Sequence, residues 1–187
     1  MSQAYKIHKQ DAAYFITLQV VHWIDLFTRK RYRNILTDSM NFCIHQKGLT
    51  VYCYVIMSNH VHLICSADRK DLSKILKEMK TFTSRKIIES IMREPESRRE
   101  WLLKMMSEAA DRHSRNSHYQ LWTHENHAIE CFSPKFTFQR IRYTHLNPVR
   151  AGIVDKEEDY LYSSARDYIG IKGLVDVSVI HPHLAFH

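Results

Sequence analysis

The chain has 187 residues and a mass of 22.3 kDa, which suits one compact domain with an appended element. A composition of 44% hydrophobic and 11% aromatic residues, with four glycines and four prolines, excludes a largely disordered chain. Lysine and arginine exceed the acids by 27 to 20, and the resulting charge of +7 favours a polyanionic partner without establishing one.

The four cysteines, Cys43, Cys53, Cys65 and Cys131, have neither Cys-x-x-Cys spacing nor the density of a disulfide scaffold. Free thiols in a reducing cytosol are expected. No apolar h-region opens the chain, and no segment approaches the ~20 apolar residues of a membrane span, so the expected location is cytoplasmic.

In chain order, residues 13–24, "AYFITLQVVHWI", are rich in β-branched and aromatic types and read as a first strand. After the basic stretch Arg29, Lys30, Arg31 and Arg33, "LTDSMNFCIHQKG" reads as a helix capped by Thr37 or Asp38 and stopped by Gly48. Residues 50–57 form a second strand, Ser58-Asn59 a break, and His60 to Cys65 a third strand. From Asp71, apolar residues at helical spacing predict a long amphipathic helix ending near Pro95. Ser97 to Glu100 matches a capping box, so another helix is expected there, carrying Trp101 and Met105. "YQLW", residues 119–122, reads as a fourth strand, and residues 136–147 as a helix halted by Asn147-Pro148. The order is that of an α+β fold, a ferredoxin-like (RRM-like) split βαβ sandwich with an antiparallel sheet and helices on one face, plus a C-terminal helix. The expected division is a domain over residues 1–170, with a helical insertion at about 93–118, and a tail over 171–187.

"YVIMSNHVHLIC", residues 54–65, sets two histidines into an apolar strand. Side chains two apart on a strand share a face, so His60 and His62 are placed to chelate one ion, a geometry that suits several divalent metals. The plainer alternative puts both on the solvent face of an alternating strand. In "RIRYTHLNPVRAGIV", Tyr143 and Asn147 stand four apart and share a helix face. Alone, they also read as a packing residue and a helix stop.

Together "YVIMSNHVHLI", "YTHLNPVRAGIV" and the later "YLYSSARDY" resemble the HUH single-tyrosine transposases, in particular the REP-associated tyrosine transposase branch. The resemblance covers roughly residues 5–170 and rests on the joint occurrence of the motifs in this order. It implies His60 and His62 as metal ligands, Asn147 as the third, and Tyr143 as the nucleophile. The asparagine fits the REP-associated branch, since many relatives of insertion-sequence type carry glutamine at the third-ligand position. "WTHENHAI" resembles the stretch before the tyrosine helix, where His127 matches a residue near the active site. The implied cofactor is a divalent metal, Mg2+ or Mn2+, and the implied partner is single-stranded DNA with hairpins from palindromic repeats, processed by a homodimer or a monomer.

The implied chemistry is transesterification. A tyrosine oxygen attacks phosphorus and displaces a 3'-hydroxyl, leaving a 5'-phosphotyrosine that a second strand end can reseal without ATP. Phenols titrate near ~10, so attack at neutral pH needs assistance from a metal or a base. Arg29, Lys30, Arg31, Arg33, Arg140, Arg142 and Arg150, together with lysines and arginines of the long helix, are candidates to track phosphates; exposed tyrosines or Trp23 are candidates to stack unpaired bases. Two rivals stand beside this reading. A non-catalytic nucleic-acid-binding module of the same fold is disfavoured by the absent "GFAFV" aromatic pattern. A metal-dependent hydrolase would borrow the histidines but have no need of Tyr143.

Overall fold

The structure is a computed structural model and describes residues 6–69, 71–112, 118–124 and 126–181. Strand β1 (Tyr14–Gln19) ends earlier than its composition suggests. His22 and Trp23 take φ of 54° and 55°, left-handed values that no strand accommodates, and Val21–Trp23 form a short 3₁₀ turn instead. Helix α1 (Lys30–Lys47) begins within the basic stretch rather than at Thr37. Tertiary burial explains this: Tyr32 and Leu36 sit in the core, while the carboxylate of Glu96 accepts from Tyr32 (2.9 Å) and pairs with Arg29 (3.4 Å) and Arg31 (3.2 Å). Gly48 closes α1 at φ 71°, where a side chain would be strained.

Strands β2 (Leu49–Ile56) and β3 (His60–Ala67) form a hairpin with a bulge at Tyr52. Helix α2 (Leu72–Arg93) follows as expected, then α3 (Arg99–Asp111). The predicted capping box is not formed: Arg98 occupies the cap position without a side-chain cap, and Ser97 accepts from Arg29 instead. The reason is the buried Glu96, whose carboxylate takes the Arg98 backbone N–H at 3.2 Å. Residues 113–117, at the end of the expected insertion, lie outside the described residues.

The segment 119–122 is no strand. It makes a single bridge, Val20 to Trp122, because Leu121 and Trp122 turn into the core, where the indole N–H donates to Thr83 Oγ1 at 3.1 Å. The fourth strand is β4 (Ile129–Glu130), short and paired with β1. Helix α4 runs Pro134–Arg150, longer than the predicted 136–147. Ser133 caps it, accepting from Phe136 N–H, and Pro148 lies inside its last turn. A proline there forfeits one intrahelical bond; burial of Ile141, Thr144, His145 and Pro148 against the sheet overrides the stop signal. A further 3₁₀ turn, Glu157–Asp159, and a short helix α5 (Ala165–Tyr168) follow.

The sheet order is β2-β3-β1-β4, antiparallel throughout, as the split βαβ reading requires. Helices α1 and α2 cover one face, where Ile16, Leu18, Val61 and Leu63 meet Leu36, Met40, Leu76 and Met79. Helix α4 covers part of the other, where Phe15, Cys53 and Ile64 meet Ile141. The four cysteines are free thiols. Among the described residues no helix is long and apolar enough to cross a membrane.

Candidate active site

The face of the sheet beneath α4 carries the alternate residues of its two central strands. Phe15 and Thr17 come from β1; His60, His62 and Ile64 come from β3, and the register sets Thr17 opposite His62. Because α4 lies across this face, β3 is covered on both sides. His62 is therefore buried, at 6% exposure, and the solvent-face alternative for the pair does not describe it.

The two imidazoles stand with ring centroids 4.6 Å apart. His60 Nδ1 donates to Asn59 Oδ1 at 2.7 Å, and His62 Nδ1 is 2.9 Å from Thr17 Oγ1. With Nδ1 of each ring engaged, Nε2 is the atom available to a ligand, the arrangement that second-shell partners impose on metal-binding histidines. Burial holds both rings below their ordinary titration range. For His62, burial and then the neighbouring His60 and Arg140 take it down to about 3. Both are neutral at physiological pH, the form that coordinates metals.

Helix α4 brings the second constellation. Its residues Arg140, Tyr143, Asn147 and Arg150 follow one stripe, while Ile141, Thr144, His145 and Pro148 form the buried stripe that fixes the helix to the sheet. The Tyr143 ring lies edge-on to His62 with centroids 5.4 Å apart and edge-on to Phe15 at 6.1 Å. Asn147 Nδ2 donates to the Tyr143 carbonyl at 3.0 Å, which leaves Oδ1 as the end of the carboxamide able to act as a ligand. Thus His60, His62 and Tyr143, far apart in sequence, are gathered by one strand and the helix packed on it, and Asn147 lies one turn beyond Tyr143 on the same stripe of that helix.

The cations divide by their partners. Arg150 sits over the Tyr143 ring (5.5 Å), and Arg140 sits over Phe15 (5.2 Å) and Phe136 (4.8 Å). Arg142 is exposed on the next face of the helix, and Lys30 is exposed on α1. Arg29 and Arg31 are tied to Glu96, and Arg33 lies over the Tyr162 ring at 4.2 Å. His127 lies by the outer edge of β1, where the carbonyl of Asn126 accepts from Thr17 N–H at 3.0 Å; its φ is 39°. Together with Gln19 and His124 it lines a cavity of about 430 Å³.

Three supporting groups escape a reading by motif. Thr17 and Phe15 belong to the site only through strand register, although their alternation on β1 is the available signal. His145 ties α4 to the sheet: its Nε2 is 2.8 Å from Ser164 Oγ and 3.3 Å from Cys53 Sγ. Burial lowers His145 to about 4, so this ring too is neutral.

Comparison with known proteins agrees with the architecture. A solved structure described as a REP-associated tyrosine transposase bound to a REP hairpin superposes with a TM-score of 0.63 over 97% of this chain and 94% of that one, at 15% identity, a likeness of fold. No curated protein matches the sequence. The model of the IS200-like transposases matches residues 11–105, a span that includes both histidines and stops short of Tyr143. That span is just over half of the chain, and the protein belongs to the IS200-like transposase family, a family of DNA-processing enzymes.

Proposed function

We propose that this protein is a metal-dependent, single-stranded DNA endonuclease and strand transferase that cleaves and rejoins hairpin-bearing DNA through a 5'-phosphotyrosine at Tyr143. The observation that carries this reading is the meeting of Tyr143 with His62 of the histidine pair inside one chain, at 5.4 Å between ring centroids. The description of the structural neighbour as hairpin-bound supports the same substrate class here.

The donor set fits a divalent ion: two neutral imidazoles with Nδ1 engaged and a carboxamide oxygen, from His60, His62 and Asn147. Such an ion, Mg2+ or Mn2+, supplies charge neutralisation at the phosphate oxygens when bound. The protein's own groups do the rest. Arg150, over the Tyr143 ring, and Arg140, over the Phe15 ring, hold the scissile phosphate by charge-assisted hydrogen bonds. The α4–sheet contact fixes the direction of the Tyr143 side chain, so positioning contributes a large part of the catalysis. The Tyr143 oxygen bonds to phosphorus as the phosphorus–O3' bond breaks; the phenol loses its proton and the departing 3'-oxygen takes one up. Reversal of the same exchange, with another 3'-hydroxyl, rejoins the strand. His127, outside this constellation, is proposed as an active-site neighbour without an assigned step.

The test is incubation with single-stranded hairpin DNA and manganese, read on a denaturing gel. A covalent protein–DNA adduct is expected, absent in Tyr143→Phe and suppressed by EDTA. Binding without cleavage would identify a binding module, and cleavage without an adduct a hydrolase; either result overturns the proposal. All four site residues come from one chain, so the reading needs no second copy, and light scattering with and without DNA decides between monomer and homodimer.

A further inference from the structure

Next to the His60 end of the site, a cavity of about 450 Å³ is lined by Trp23, Asp25, Arg98, Trp101 and Met105 among others. Its two tryptophans come from separate elements, and both are turned to solvent, Trp23 at 61% and Trp101 at 47% exposure. The third tryptophan, Trp122, is buried at 5%. Single exposed apolar residues need no explanation, whereas two indoles on one cavity do.

The backbone at Trp23 adds a second observation. His22 and Trp23 are consecutive non-glycine residues with φ of 54° and 55°, a conformation that persists only where the surroundings over-determine it. Trp23 N–H donates to the Val20 carbonyl at 3.2 Å, and Asn59 Nδ2 reaches the Trp23 carbonyl at 3.4 Å and Asp25 Oδ1 at 3.2 Å. The same Asn59 accepts from His60 Nδ1, and the Trp23 ring stands edge-on to His60 at 6.3 Å. The backbone that carries the exposed indole is thus tethered to the same side chain that orients a candidate metal ligand.

The charges of the lining indicate what it takes. Arg98 pairs with Glu96 (3.6 Å) and donates to the Asp25 carbonyl (2.9 Å) and Thr28 Oγ1 (3.2 Å), so each of its three nitrogens already has a partner. Asp25 adds an exposed carboxylate. A phosphate gains little here; a flat aromatic ring bearing an amino group gains stacking and an acceptor. We propose that this cavity is a base-binding subsite, stacking one unpaired, amino-bearing nucleobase of single-stranded DNA on Trp23 beside the phosphate that Tyr143 attacks. The inference rests on the functional reading above and adds to it a determinant of which bases flank the cut.

The test uses the full chain carrying Tyr143→Phe, so that DNA is bound and not cut, and a fluorescent hairpin oligonucleotide whose unpaired positions are replaced one at a time by abasic sites. One position is expected to weaken binding roughly tenfold, the scale of one base–aromatic stack. Adding Trp23→Leu should give the same loss with intact DNA and no further loss with that abasic DNA, Trp23→Phe should restore most of the affinity, and Trp101→Leu should act in the same direction. Indole fluorescence should be quenched on binding, a signal assigned to the two exposed rings because Trp122 is buried. A flat abasic scan, or equal losses from Trp23→Leu on intact and abasic DNA, would overturn the subsite. If Tyr143-competent protein still forms the adduct in that case, the functional reading survives alone; if DNA is neither bound nor joined, both fail.

Discussion

His62 and His145 show how burial sets chemistry one residue at a time. Both rings are kept neutral by burial between α4 and the sheet, with titration lowered to about 3 and about 4 from 6.5. Well above pH 6.5 neither the folded nor the unfolded chain protonates them, and they add nothing to the pH dependence of stability there. As the pH falls below that value the unfolded chain takes up protons first, and stability is lost at up to ~1.4 kcal/mol per pH unit for each ring, until the folded forms titrate. Thermal melting in EDTA should therefore drop steadily from pH 6.5 toward 4.5, with a shallower slope in His145→Gln. An unchanged slope would show that this ring is not held neutral. At the same scale, Arg140→Gln and Arg150→Gln should each reduce the dependence of log K on log salt for single-stranded DNA by about 0.7, leaving the melting temperature nearly unaltered. Arg29→Gln and Arg31→Gln should instead lower stability, because both cations are engaged by Glu96.

Among the elements, α4 and the α2–α3 corner carry the argument. Helix α4 presents two stripes with separate duties, one anchoring it to the sheet and the other offering Arg140, Tyr143, Asn147 and Arg150. The corner is organised by Glu96, whose side chain is fully covered. Burial alone would raise its titration, but the Arg98 backbone N–H, the Tyr32 hydroxyl and Arg29 hold it below the usual range. Replacing it by alanine would leave three arginines and a buried hydroxyl without their common acceptor. Glu96→Ala is expected to cost about 3 kcal/mol, an effect of roughly 10 °C in a chain of this size, and Glu96→Gln less. A melt indistinguishable from wild type would show that the corner does not depend on the carboxylate.

On the scale of the whole molecule, a four-stranded sheet is enclosed from both sides, and the enclosure creates the site. One face packs against α1 and α2 to make the main core; the other is reserved for α4 and holds the imidazoles where water is largely displaced. Low local dielectric strengthens every charge interaction with a bound phosphate there. If the proposed metal site is right, removal of divalent metal should abolish adduct formation while leaving the fold intact, since the cores on both faces are held by packed apolar side chains. Circular dichroism before and after EDTA, beside the adduct assay, checks both halves of that expectation.

Sequence alone determined the elements through α3, the α+β class and the His60–His62 pair, because strand and helix periodicities are local and two residues apart on a strand must share a face. It also placed Tyr143 and Asn147 on one helical stripe, and the motifs in their order pointed to the family that the match over residues 11–105 shows. Tertiary structure alone decided the rest. The start of α1 depends on Glu96, distant in sequence; the survival of Pro148 within α4 depends on burial against the sheet; and the short β4 depends on pairing with β1. Whether the phenol met the imidazoles was likewise a matter of how α4 crosses the sheet, since packing between remote segments is set by the shapes of both partners and leaves no period in either one's sequence.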